Sequence, residues 1–207
     1  MCARYALAVE ELDGLPLPPG HQALFNVAPT HYVPILQRSG GQWAADRMSW
    51  GHQPHWAKNR LINLRSEGIL ENAWKRAQYT HRRVIVPASG FFEWTTIAGE
   101  RHPRYFHRID NTPLLMAAIW SEDGESLEPQ FIVLTTGANA IVREIHDRMP
   151  ILFDEATAAE WLAATPREAE LLHQLALPED LLHHYGVTRK MNYPGYQNPD
   201  SVVPIAG

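Results

Sequence analysis

The stretch RVIVPASGFFEW, Arg83 to Trp94, decides the fold of this 207-residue chain. Arg83 to Pro87 and Phe91 to Trp94 are rich in β-branched and aromatic side chains, which suit a pleated, half-buried surface. Ser89-Gly90 reads as the turn of a strand pair. Working outward, Tyr105 to Ile109, Leu114 to Trp120 and Phe131 to Thr136 have the same character, and Pro16, Pro18 and Pro19 punctuate a loop after an N-terminal strand. Helical spacing is rarer. Ile69 to Ala77 places Ile69, Ala73, Trp74 and Ala77 on one face, and Ala138 to Ile145 does so with Ile141, Val142 and Ile145. Asp154 is an N-cap for a helix through Trp161 and Leu162. Thr165-Pro166-Arg167-Glu168 joins a capping box to a first-turn proline, with Leu171, Leu172 and Leu175 as the expected buried stripe. Strands and helices do not alternate regularly, which argues against a doubly wound parallel sheet. The expectation is one α+β domain over residues 1–207, mostly antiparallel, with a few flanking helices.

Composition removes several classes. Hydrophobic residues at 45% and charged residues at 20% are typical of a soluble globular chain. The longest clean apolar run, Leu114 to Trp120, is far short of the roughly 20 residues of a membrane helix. No basic segment followed by an apolar stretch opens the chain, so no secretory signal is expected. One cysteine, Cys2, rules out an internal disulfide and fits a reducing, cytoplasmic compartment. CxxC pairs and the glycine-rich nucleotide-binding loops are absent, and His52-x-x-His55 supplies two metal ligands without a third. Neither metal nor cofactor is expected.

The formal net charge of −5 argues at first against a nucleic-acid partner. Counted by segment it conceals an asymmetry: −2 over residues 1–46, +7 over 47–108 and −10 over 109–207. The basic middle also holds Trp50, Trp56, Trp74 and Trp94. Basic side chains interleaved with aromatics suit a single-stranded nucleic acid, where charge follows the backbone and rings stack on bases. A solvated basic surface over a tryptophan-rich core has the same composition, so composition alone leaves both readings open.

Cys2 carries more information than a lone internal cysteine. Removal of Met1 would leave it as the N-terminus, with an α-amine of pKa roughly 7.7–8.0 beside a thiol near about 8.5. Such a pair can condense with an aldehyde to an imine and close a thiazolidine, or the amine can serve as base for the thiol in an amide hydrolase. Three segments could assist. In Asn63-Leu64-Arg65-Ser66-Glu67 the alternate polar residues share one face of an extended strand. Glu93 lies between aromatics, where desolvation favours a general acid or base near neutral pH. His146-Asp147-Arg148-Met149-Pro150 offers a proton carrier and a phosphate-binding guanidinium. Glu93 and His146 also have structural readings, as an edge-strand glutamate and a helix-end histidine.

Six segments in this order resemble the SOS-response-associated peptidase (SRAP) family. They are Met1-Cys2-Ala3-Arg4-Tyr5, Asn26-Val27-Ala28-Pro29-Thr30, Ser49-Trp50-Gly51, Asn63-Leu64-Arg65-Ser66-Glu67, Pro87-Ala88-Ser89-Gly90-Phe91-Phe92-Glu93-Trp94 and His146-Asp147-Arg148-Met149-Pro150. The resemblance spans Cys2 to about Val203. The chain departs from the usual pattern at Ala3, Leu64, Gly68 and His52-Gln53. The resemblance implies barrel-like antiparallel sheets and action on abasic sites in single-stranded DNA, with a thiazolidine crosslink on Cys2 after autocatalytic loss of Met1. It implies roles in that chemistry for Cys2, Asn63, Glu93 and His146, with Asn63 orienting Cys2 and the sugar. His146 would open the sugar ring, and Glu93 would shuttle protons. Arg4, Arg65 and Arg148 would hold phosphates, and Pro29, Trp50 and Trp94 would complete the DNA surface. A monomer, associated with the nucleoid while crosslinked, is expected. The rivals are an N-terminal-nucleophile amidase or peptidase and a protein that only binds single strands.

Overall fold

The runs on either side of Ser89-Gly90 do form strands, but they belong to different sheets. The computed structural model describes residues 2–122, 124, 128–175 and 177–205. In chain order the first strands are β1 (Arg4–Leu7), β2 (Leu24–Val27), β3 (Tyr32–Ser39), β4 (Gln42–Trp50), β5 (Asn63–Arg65), β6 (Arg83–Ala88) and β7 (Gly90–Ile97). They continue with β8 (Glu100–Arg108), β9 (Leu114–Ser121), β10 (Gln130–Gly137), β11 (Arg148–Pro150), β12 (Leu152–Phe153) and β13 (Leu182–Gly186). The helices are α1 (Ala73–His81), α2 (Ala140–Arg143), α3 (Glu155–Ala163) and α4 (Pro166–Leu172).

One sheet, ordered β13-β8-β7-β1-β2, is antiparallel throughout. The other is ordered β11-β10-β4-β3-β6-β9-β12, with β5 beside β10 and a further β9–β10 pairing. It curls into a barrel-like form without closing fully: β3 and β6 share one registered pair, Leu36↔Ile85, and β4 meets β10 at two. Gly90 marks the corner where the chain leaves the large sheet for the small one. A Cβ there would strike the Phe106 carbonyl and the Tyr105 ring, so glycine is required for close packing.

Side-chain alternation assigns the layers. Val84, Val86 and Ala88 of β6 join Leu114, Met116 and Ala118 of β9 in a core shared with Tyr5, Phe91 and Phe106 of the small sheet. Ile85, Leu115, Ala117 and Ile119 face the other way, against Tyr79, Trp161, Ala169 and Leu172 of the helices. Strands covered on both faces read as continuous apolar runs, which is why β9 and β10 stand out in the sequence. Ala6, Phe92 and Tyr105 turn outward beneath the C-terminal segment at Val187 and Met191.

The cap signals hold. Asp154 accepts from the Thr157 amide at 2.8 Å, and Thr165 and Glu168 form the reciprocal box. Two stripes do not. Asn72 caps α1, so the helix starts at Ala73 and buries Gln78 and Tyr79, leaving Ala73 and Ala77 exposed. In α4, Ala169 and Leu172 point inward, while Leu171 and Leu175 are exposed. No helix among the described residues is long and apolar enough to cross a membrane.

Candidate functional site

Strand pairing gathers the chemically useful residues. β1 runs antiparallel to β7 with Arg4↔Phe92 and Tyr5↔Phe91, so Glu93 lies beside the Cys2 end of β1. Phe91 faces inward and Phe92 outward; period two therefore turns Glu93 inward and Trp94 outward. From the large sheet, β10 holds β5 in parallel register at Val133↔Asn63 and Thr135↔Arg65, and β11 in antiparallel register at Gly137↔Arg148. Asn63 reaches across and donates from Nδ2 to the Cys2 carbonyl at 2.7 Å. One hydrogen bond thus ties the start of the chain to the opposite sheet.

The environment sets the chemistry. Cys2 is fully buried, and its thiol donates to the Arg4 carbonyl at 3.4 Å. Burial, reinforced by the Glu93 charge, pushes the thiol far above its ordinary range, so it stays protonated at neutral pH. Glu93 is 3% exposed, and burial raises its carboxyl; His146 and Arg101 act against that rise, which places both near it. The Tyr5 hydroxyl is pushed up by burial and by Cys2, so it too stands by the thiol. The Asn63 Oδ1 atom is buried with no hydrogen-bond partner among the described residues. Such an orphan costs about 1–3 kcal/mol, relieved by any ligand that brings a donor.

His146 Nδ1 lies 2.9 Å from the Arg148 amide and 3.0 Å from Asp147 Oδ1. These contacts demand opposite roles of one nitrogen. The backbone N–H can only donate, so in the neutral ring Nδ1 accepts and the proton sits on Nε2.

Several residues expected at a DNA surface are engaged elsewhere. Trp50 is fully buried, between Tyr5 and Phe131, with Nε1 donating to the Ile62 carbonyl at 3.0 Å; it offers no ring face to a base, which corrects the stacking role expected for it. Arg4 shares its outward parity with Ala6, and its guanidinium donates to Asn26 Oδ1 at 2.9 Å and the Met191 carbonyl at 3.1 Å. It ties β1 to the C-terminal segment and is not an open phosphate ligand. Trp94 points outward, donates to Asn192 Oδ1 at 2.7 Å and carries the Arg101 guanidinium over its ring at 4.6 Å. Arg148 is gripped by Glu67. Pro29 is half-buried and Arg65 exposed.

The basic middle is likewise dispersed. Arg82 pairs with Glu122, Arg108 with Asp110, and Arg83 lies beneath the Leu162 and Ala164 carbonyls. Two residues were missed. Trp56 is 66% exposed and edge-on to Trp74 at 5.8 Å, making it the open ring of the segment. Arg101 comes to lie over Trp94, beside the Glu93 strand, because Ala98 and Gly99, both at positive φ, fold β7 onto β8 with Thr96↔Arg101. His52 is buried, with Nδ1 3.1 Å from Gln130 Oε1 and its ring stacked on Trp74. Among the described residues no group of three or more His, Cys, Asp or Glu gathers as a cation cage.

The sequence pattern described as SOS response associated peptidase (SRAP) matches residues 1–194. The chain belongs to the SRAP family. It is 29% identical over 223 residues to the abasic site processing protein YedK of Escherichia coli, covering 99% of this chain and 100% of that one. The abasic site processing protein YoqW of Bacillus subtilis is 27% identical, over 98% and 99% of the two chains. A vertebrate relative, the abasic site processing protein HMCES of Gallus gallus, is 26% identical over 87% of this chain and 66% of its own. In fold, the chain is similar to a crystallised Bacteroides thetaiotaomicron protein, with a TM-score of 0.79 at 21% identity over 99% and 100% of the two chains. A Bordetella bronchiseptica phage-related protein gives 0.73 at 24% identity, over 91% and 95%.

Proposed function

We propose that this SRAP protein processes abasic sites in single-stranded DNA, capturing the lesion as a thiazolidine on Cys2. Full-length relatives named abasic site processing proteins support the substrate class. The observation that carries the chemistry is the 2.7 Å bond from Asn63 Nδ2 to the Cys2 carbonyl, which fixes the residue bearing both nucleophiles beside a buried carboxylate. Held nucleophiles gain effective concentration.

Water first cleaves the Met1–Cys2 peptide bond, with Glu93 as base, and frees the Cys2 amine. His146 donates its Nε2 proton to the ring oxygen of the abasic sugar as the C1′–O4′ bond breaks, and takes up the proton that the C1′ hydroxyl gives off as that carbon becomes the aldehyde. The amine attacks C1′; the carbinolamine sheds its oxygen as water and leaves an imine. The sulfur then adds to the imine carbon while the thiol proton passes, through Glu93, to the nitrogen. Net, one C–N and one C–S bond form and one water leaves. A protonated thiol needs such a base, and a carboxylate with a raised pKa is matched to taking and returning that proton. Arg65 and Arg101 are exposed and available to phosphates, and Trp56 offers a ring to a base.

The test is a denaturing gel of the untagged protein incubated with an oligonucleotide holding one abasic site. The wild type gives a heat-resistant shifted band, and Cys2→Ala gives none while still binding intact strands. Absence of the band, or its survival in Cys2→Ala, overturns the reading; turnover of a small amide without DNA attachment would favour the amidase.

A further inference from the structure

Arg148 and Glu67 stand 81 positions apart in sequence and form a two-pronged pair, Nη1–Oε1 at 2.5 Å and Nη2–Oε2 at 2.8 Å. This is the fork geometry in which a guanidinium receives a carboxylate or a phosphate alike. The partners differ in exposure. The Arg148 side chain is 11% exposed and Glu67 57%. Arg148 is also held from below, donating from Nη2 to the Thr135 carbonyl at 2.7 Å and to Thr135 Oγ1 at 3.3 Å, on a strand registered at Gly137↔Arg148. Its orientation therefore does not depend on Glu67.

Glu67 sits in a turn closed by the Ile69 amide on the Ser66 carbonyl at 3.1 Å and continued by Gly68 at φ +67. Its side chain can leave the guanidinium by rotating into solvent, with no change of backbone. Arg148 also donates its amide to His146 Nδ1, so the residue that bears the fork is joined directly to His146.

We infer that Glu67 is an internal competitor for DNA phosphate, occupying the Arg148 fork in the free protein so that intact strands are held weakly. The inference rests on the DNA-processing reading above. A backbone phosphate presents the same pair of oxygens and must displace the carboxylate to gain the contact. Glu67 approaches the guanidinium from the solvent side, so a strand anchored elsewhere can exchange it for a phosphate, while the two-pronged carboxylate contact subtracts from every unanchored encounter. Glu67 thereby sets the preference for a lesion that can be captured covalently over undamaged DNA.

The test is a double-mutant cycle read by fluorescence anisotropy with a labelled, undamaged single-stranded oligonucleotide, using wild type, Glu67→Gln, Arg148→Ala and the double variant. Glu67→Gln should tighten binding about three- to tenfold and steepen the logarithmic salt dependence by about 0.7, the increment for one phosphate contact on a single strand. The gain should vanish in the Arg148→Ala background. Should Arg148→Ala fail to fold, Arg148→Gln, whose amide still reaches toward Thr135, replaces it. Unchanged or weaker binding by Glu67→Gln overturns the inference, because Glu67 would then be a support for Arg148. An equal gain in both backgrounds also overturns it, as a general charge effect. The abasic-site gel is read in parallel: crosslinking without an Arg148-dependent gain sinks the competitor and leaves the function standing, and the reverse pattern sinks the crosslink alone.

Discussion

Glu93→Gln should make the protein more stable and nearly inactive at once. The carboxyl is 3% exposed, and burial raises its pKa in the folded state above the ordinary value of about 4.3. A folded pKa above the unfolded one means that ionisation costs stability. The cost is absent below the unfolded pKa, grows as pH rises through the folded pKa, and is constant above it. Glutamine keeps the shape and never ionises, so the variant gains at pH 8 what the wild type loses there. Each unit of elevation corresponds to about 1.4 kcal/mol, and 1 kcal/mol to about 2–4 °C in Tm for a chain of this size. Thermal unfolding of both proteins from pH 4 to 8 should show a gap that opens with rising pH and closes near pH 4. Single-turnover crosslinking should fall by about 10²–10⁴-fold, the usual worth of a positioned general acid–base. A Tm gap that is negative at pH 8, or independent of pH, would refute the argument from burial. A crosslinking rate within threefold of wild type would remove Glu93 from the proton path.

Asn63→Ala should slow crosslinking by about 10–100-fold through loss of Cys2 positioning, while Tm hardly moves, because the lost hydrogen bond is offset by removal of the orphaned Oδ1; single-turnover rates and a melting curve report both. Trp56→Ala should weaken single-strand binding by a base-stacking increment of about 1–3 kcal/mol and leave Tm unchanged, measured by anisotropy and thermal unfolding. Trp50→Ala should do the opposite in kind, losing about 3–5 kcal/mol in a denaturant titration from the cavity left between Tyr5 and Phe131. Gly90→Ala should cost about 1–3 kcal/mol in the same titration, since its Cβ meets the Phe106 carbonyl and Tyr105 ring.

What the sequence disclosed depended on whether the cause was local. The Thr165–Glu168 box and the Asp154 cap are settled within four residues, and both stand as read. Strands β6, β9 and β10 were visible because burial on two faces leaves an unbroken apolar run, whereas of β8 only the Tyr105 end was, since Glu100 to Arg104 is largely polar. The short β11 was invisible: Arg148–Pro150 is a strand only because β10 lies beside it. The helix expected from Ile69 failed because Asn72 starts it later, although Ile69 itself is buried. At the site, Cys2, Asn63, Glu93 and His146 were legible as unusual residue types in unusual places, and pairing brings them together. The arginines and tryptophans were not, since chemistry alone cannot separate Trp50 from Trp56. Nor can it foresee that Asn26 occupies Arg4, or that Glu67 closes Arg148. The net charge misled twice. Its whole-chain sum hid a basic middle, and the basic middle turns out to spend much of its charge on internal partners.

The central claim is that Cys2 contributes both its nitrogen and its sulfur to one lesion carbon. Because Cys2 is the sole cysteine of the sequence, the fate of its thiol decides the matter. The abasic-site adduct is denatured, treated with iodoacetamide and weighed intact. A thiazolidine predicts the mass of the chain without Met1, plus the oligonucleotide, less one water, with no alkyl group added. An adduct of that mass that takes up one alkyl group has a free thiol, and would contradict the account by showing an imine alone.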